Sequence, residues 1–118
     1  EDEPGVRRLV NETLRLHGYT VLEARHGIEA LLTGAKHAGP IHLLLTDVVM
    51  PQMSGPEVAE KLATVRPEVK VLYMSGYPDH PAFSKGGIDT EHSFLQKPFT
   101  PTTLAQKVRE VLDGSKVA

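Results

Sequence analysis

Cysteine is absent from the 118 residues, so no disulfide framework and no thiolate metal site is available to this chain. No run of apolar residues approaches the length that spans a bilayer, and no signal peptide is visible, which makes the cytoplasm the default address and leaves no membrane contact for this domain. Basic blocks are missing too. Thirteen Lys and Arg are scattered among fifteen Asp and Glu for a net charge of −2, and no basic stretch carries interleaved aromatics, so direct DNA or RNA contact is not expected. The six histidines (17, 26, 37, 42, 80 and 92) share no ligand spacing, which argues against a zinc site. What is present is ordinary for a folded protein: 40% hydrophobic and 24% charged residues, in a length that suits one domain.

Apolar periodicity alternates between helix and strand along the chain. From Pro4 to His17, the positions Val6, Leu9, Val10, Thr13, Leu14 and His17 recur at three-four spacing and make one face of a helix that Pro4 opens and Gly18 ends. A short strand is predicted over 20–24 (TVLEA) and a helix over 28–36, closed by Gly39-Pro40. The nearly continuous apolar stretches at 41–46 (IHLLLT) and 69–75 (VKVLYMS) read as strands buried on both faces. Between them, 56–65 places Val58, Leu62 and Val65 on one stripe and stops at Arg66-Pro67. A last strand is predicted at 93–97. A last helix follows over 101–112, with Thr100 as cap, Pro101 in the first turn, and Leu104, Val108, Val111 and Leu112 inward. Pro78, Pro81, Gly86 and Gly87 allow only one broken helix between 77 and 92.

Strands alternating with helices predict a parallel sheet covered on both faces. In such a sheet, ligands sit beyond the carboxyl ends of the strands. The polar residues there are Asp47 after IHLLLT, Ser75 at the end of VKVLYMS and Lys97 at the end of SFLQK. Glu1, Asp2 and Glu3 directly precede the first helix, where a further strand would end. The separations are 45 residues from Asp2 to Asp47, 28 to Ser75 and 22 to Lys97, which fit two βα units, then one, then one.

Those residue types suit phosphoryl transfer. Crowded carboxylates repel, and a hard divalent cation such as Mg²⁺ is the natural remedy, since it takes carboxylate, water and phosphate oxygens. A carboxylate can attack phosphorus to give an acyl phosphate. The transfer itself needs mainly positioning and neutralisation of charge on the equatorial oxygens, which an ammonium and a hydroxyl can share with the metal.

The stretches EDEPGVRRLV, LLLTDVVMPQMSG, VLYMSGY and FLQKPF, at these spacings, resemble the receiver domain of bacterial response regulators and hybrid sensor histidine kinases over the whole chain. The resemblance implies an α/β, flavodoxin-like doubly wound parallel sheet with strand order 2-1-3-4-5 and five helices. It implies Asp47 as phosphoacceptor, with Mg²⁺ held by Asp2, Asp47 and the backbone carbonyl of Val49, and by Glu1 through water. Ser75 is then the switch hydroxyl, Lys97 the lysine that pairs with the phosphoryl group, Phe94 the aromatic switch, and Lys97-Pro98 a cis peptide. The donor is a phosphohistidine on a histidine kinase or histidine phosphotransfer domain. Phosphorylation biases a two-state equilibrium that controls a partner, an output domain or the kinase domain of the parent protein, and a homodimer is left open.

On this reading the domain is a switch rather than a conventional enzyme, and TDVVMPQMSGPEVAEKL with FLQKPFTPTTLAQKVREVL is most similar to the C-terminal receivers of hybrid sensor kinases. Glu1 stands where many relatives carry Asp. Val49 and Tyr77 flank the pocket and are expected to slow attack by water, giving slow phosphate turnover. Two other classes are weighed. An aspartyl-phosphate hydrolase of the haloacid dehalogenase type needs a second acid two residues after the nucleophile, where this chain has Val49. A receiver-like binding module that is never phosphorylated ordinarily lacks one of the acids or the lysine that this chain keeps. Only four strands are legible, at 20–24, 41–46, 69–75 and 93–97, and the one that should run into Glu1 is missing. The expectation is therefore a receiver domain over 1–118 that is incomplete at its N-terminus and belongs to a larger protein. An ammonium at Glu1 would otherwise sit within the acidic cluster and compete with the cation.

Overall fold

The computed structural model describes residues 3–50, 52–76 and 94–113. Helix α1, Pro4–Leu16, starts with proline in its first turn and ends against His17 and Gly18, whose φ of 90° suits glycine. His17 is exposed there and its Nδ1 lies 2.9 Å from the Thr13 carbonyl, so the histidine expected on the packing face serves the helix end instead. Helix α2, Gly27–Lys36, is capped by the His26 ring, which accepts from the Glu29 N–H. Strand β1 is Leu43–Asp47. Helix α3, Gly55–Val65, opens on a capping box in which Ser54 and Glu57 satisfy each other's backbone N–H groups. Strand β2 is Lys70–Ser75, β3 is Phe94–Gln96, and helix α4, Pro101–Leu112, is capped by the Thr100 hydroxyl. Among the described residues no helix is long and apolar enough to cross a membrane.

The three strands form a parallel sheet in the order β1-β2-β3, with Leu45 opposite Leu72 and Asp47 opposite Met74. Side-chain alternation splits the core between the faces. On one face Leu72, Met74 and Leu95 pack with Leu14 of α1 and with Leu104 and Val108 of α4. On the other, Tyr73 and Val48 pack against Ala59 of α3, with α2 beside α3. Leu72, Met74, Leu104 and Val108 are sealed, and each such side chain contributes roughly 1.5–3 kcal/mol by leaving water. The Arg66 guanidinium fastens the end of α2, donating to the carbonyls of Gly34, His37 and Gly39 at 3.1, 2.6 and 2.7 Å.

The doubly wound parallel architecture expected from the alternation is therefore present. One element differs. Residues 20–24 are not a strand. The reason is physical: a strand is defined by the neighbour it bonds, and none of the three described strands, in the order β1-β2-β3, pairs with 20–24. The broken helix expected between 77 and 92 lies outside the described residues.

Candidate functional site at the carboxyl edge of the sheet

Asp47 is the last residue of β1, delivered to the sheet edge by an apolar strand that cannot itself be solvated. It is only 4% exposed, and its carboxylate Oδ2 is buried. A buried carboxylate is costly unless a cation compensates it. The compensation comes from Lys97, just beyond the end of β3, whose Nζ lies 2.6 Å from Asp47 Oδ1. The lysine's backbone is fixed as well: its N–H donates to the Ser75 carbonyl at 2.9 Å, and the following Lys97-Pro98 peptide is cis, as expected. Ser75, buried at the end of β2, thus lies beside the strand that delivers Lys97.

The loop after β1 is shaped by backbone contacts. The Val48 N–H donates to the Met74 carbonyl and the Gly55 N–H donates to the Val48 carbonyl, which folds the loop tightly over the strand end. Gly55 is obligatory at this crossing, because a Cβ there would collide with the Asp47 carbonyl oxygen. The buried Thr46 hydroxyl donates to that same carbonyl at 3.0 Å. Val49 is half exposed on this loop.

The geometry brings Asp47, Lys97 and Ser75 to one edge. Phe94 opens β3 and is half-buried opposite Tyr73. Asp2, Glu1 and Tyr77 lie outside the described residues. In the sequence Glu3 is one of three acids ahead of the first helix and carries no role of its own, yet its Oε1 lies 3.3 Å from Lys97 Nζ, so one ammonium faces two carboxylates. The signal for it was the run EDE itself, whose third acid stands at the cap of α1 and so at the same edge. Among the described residues no group of three His, Cys, Asp or Glu side chains is arranged to hold a metal ion. The donor chemistry nevertheless fits a hard cation. Lys97 faces both Asp47 and Glu3, two carboxylates of the kind Mg²⁺ takes, and in the sequence Glu3 follows two further acids.

The family model described as "Response regulator receiver domain" matches residues 1–109. The sensor kinase CckA of Brucella abortus (strain 2308) is 39% identical over 114 residues, a stretch that covers 96% of this chain but 12% of that protein. The crystal structure of the receiver domain from hybrid histidine kinase CckA superposes with a TM-score of 0.78 at 38% identity, covering 95% of this chain and 94% of that one. The chemotaxis protein CheY4 of Vibrio cholerae superposes with a TM-score of 0.82 at 28% identity, over 94% of this chain and 92% of its own. A parallel sheet with its acid and lysine on one edge, matched over nearly its whole length by these proteins, places this chain in the response regulator receiver domain family of two-component systems.

Proposed function

We propose that Asp47 is the phosphoacceptor of a phosphorelay and that its phosphorylation switches the domain between two conformations. The observation that carries this reading is the Asp47–Lys97 pair, a buried carboxylate 2.6 Å from an ammonium, next to the Ser75 strand end. A structural ion pair needs no third group, and burying one is a poor route to stability. A site for a dianionic phosphoryl group needs a nucleophile, a cation and a hydroxyl donor together.

In the reaction, an Asp47 carboxylate oxygen bonds to phosphorus while the bond from phosphorus to the donor's imidazole nitrogen breaks, and the imidazole keeps that electron pair and takes up a proton. Lys97 moves its interaction from the carboxylate to the incoming phosphoryl oxygens. The Ser75 hydroxyl donates to another of those oxygens. Mg²⁺, when bound, neutralises the charge gathered between nucleophile and phosphate. Asp47, the Val49 carbonyl and Asp2 would hold it directly, with Glu1 acting through water. The charge added at 47 then draws Ser75 towards it and Phe94 inward behind it, which alters the surface offered to a partner. Hydrolysis of the acyl phosphate resets the switch.

The phosphoryl donor is a histidine kinase or a histidine phosphotransfer domain, and the parent is a hybrid sensor histidine kinase working at the cytoplasmic side. The likeness to CckA, of which the matched stretch is 12%, supports that parentage. The test is incubation with acetyl phosphate and Mg²⁺, read by intact mass. One added phosphoryl group is expected, absent when EDTA replaces the metal. A chain that stays unmodified with Mg²⁺ present, while a known receiver is labelled in parallel, would refute the proposal.

A further inference from the structure

Glutamate is a poor residue with which to open a helix. The cap position favours the short side chains of Ser, Thr, Asp and Asn, which fold back onto the first N–H groups. Glu3 occupies that position ahead of α1 with extended backbone (φ −86°, ψ 117°), and its side chain makes no capping bond. Its carbonyl still starts the helix, accepting from the Arg7 N–H at 2.9 Å. The carboxylate is turned to Lys97 instead, with Oε1 3.3 Å from Nζ. What glutamate supplies here is reach.

Lys97 is thereby held at both ends. Its backbone N–H donates to the Ser75 carbonyl at 2.9 Å, and its ammonium lies between Asp47 Oδ1 at 2.6 Å and Glu3 Oε1 at 3.3 Å. The two carboxylates stand in different surroundings. The Asp47 side chain is 6% exposed, that of Lys97 20% and that of Glu3 64%. Glu3 therefore marks the open side of the ammonium. A phosphoryl group has to arrive from that side, because Thr46 and Val48, which flank Asp47, are almost completely buried.

A lysine anchored to Asp47 alone would be held on the nucleophile, since the shorter and less solvated contact is the stronger one. During transfer the ammonium has to follow the charge outward, from the carboxylate oxygen that is bonding to phosphorus to the equatorial phosphoryl oxygens. An acceptor already placed on the open side shortens that displacement and fixes its direction. Positive charge held in advance where negative charge gathers lowers the barrier.

We propose that Glu3 is a positioning residue for phosphoryl transfer, acting through Lys97 to hold its ammonium on the open side of Asp47. This inference rests on the phosphoacceptor reading of Asp47 and adds to it the group that aims the lysine. Exposed ion pairs are weak, so such a partner changes the rate by on the order of five-fold.

The test is the initial rate of labelling by acetyl phosphate and Mg²⁺, read by intact mass below the unfolding transition of each variant. The parent, Glu3→Gln, Glu3→Asp and Glu3→Ala are compared, each with Lys97 and with Lys97→Met. Glu3→Ala and Glu3→Asp slow labelling about five-fold, because neither side chain reaches the ammonium. Glu3→Gln recovers at least about half of the parent rate, because its amide oxygen accepts from the ammonium at the same length. With Lys97→Met all four label within about two-fold of one another, as expected of a residue that acts through another. An effect of the Glu3 charge on donor or cation would persist without the lysine. Where Lys97→Met labels too slowly to compare, the ammonium protons of Lys97 decide by NMR: they exchange with water about five-fold faster in Glu3→Ala than in the parent.

The proposal is overturned if Glu3→Ala labels at the parent rate or faster, or if its ammonium exchange equals the parent's. It is overturned if Glu3→Asp matches the parent and Glu3→Gln does not, which would make charge rather than reach the cause. It is overturned equally if Glu3→Ala slows labelling as much with Lys97→Met as with Lys97. A parent chain that takes no label while a known receiver does refutes the phosphoacceptor reading itself, and the inference falls with it.

Discussion

Replacing Gly55 by alanine tests whether the fold and the site are joined at one backbone crossing. An alanine Cβ would overlap the Asp47 carbonyl oxygen, come to 3.0 Å from the carbonyl carbon and lie 3.2 Å from Thr46 Cγ2. The obstacle is backbone, so no rotamer change relieves it, and either the start of α3 or the end of β1 must retreat. Overpacking of this kind costs up to about 3 kcal/mol, and stretching the Gly55 N–H to Val48 C=O bond adds about 1 kcal/mol. Alanine returns at most about 1 kcal/mol through helix propensity. The net loss is therefore up to about 3 kcal/mol, which for a domain of this size lowers Tm by as much as roughly 10–15 °C. Urea and thermal unfolding would measure it, alongside the labelling rate at residue 47, which should fall as the carboxylate is displaced. Two other glycines serve as comparators. A Cβ at Gly5 meets nothing within 4 Å, and one at Gly34 meets the movable ends of the Leu62 and Ile41 side chains at 2.8 and 3.8 Å. Gly5→Ala should be neutral or stabilising, and Gly34→Ala should cost less than about 1.5 kcal/mol. The reasoning fails if Gly55→Ala unfolds within about 0.5 kcal/mol of the parent and accepts phosphate at the same rate.

Three further outcomes are expected. A double-mutant cycle of Asp47→Asn with Lys97→Met should give a coupling of about 1–3 kcal/mol in urea unfolding, moderate because the lysine side chain is 20% exposed, whereas additive effects would remove the pair from the account. Arg66→Ala releases three carbonyls at the end of α2 and should cost about 2–3 kcal/mol, with exchange accelerating at the amides of α2; a loss under about 0.5 kcal/mol would reduce the clamp to a surface contact. Val49, half exposed beside Asp47, should restrict access of water to the acyl phosphate. Val49→Asn is therefore expected to shorten the phosphate lifetime several-fold by autoradiography, and a turnover in seconds in the parent chain would contradict the role given to this side chain.

How much the residues disclose in advance depends on whether the signal is local. The apolar runs IHLLLT and VKVLYMS supply the two strands between the helical layers, with burial concentrated towards their carboxyl ends, and the period-2 and period-3.6 patterns mark those elements to within two residues. The edge position of Asp47, Ser75 and Lys97 follows from the same patterns, since a polar residue ending a buried strand has one place to be. Other features depend on relationships between distant segments. Residues 20–24 have strand composition, yet a ladder needs a neighbour. Glu3 looks like one of three equivalent acids until Lys97, 94 positions away, selects it. Arg66 ends a helix in the sequence, and its bonds to Gly34, His37 and Gly39 arise only from the packing of α3 on α2.

The central claim, that an aspartate at the end of β1 carries the phosphoryl group, can be read at a single residue. The chain would be incubated with acetyl phosphate and Mg²⁺, reduced with borohydride to convert any acyl phosphate to an alcohol, digested and mapped by mass spectrometry. Reduction confined to position 47, and absent from Asp47→Asn, is the expected result. Reduction at Glu3 or at any other carboxylate with position 47 intact, or labelling of Asp47→Asn at the parent rate, would contradict the account.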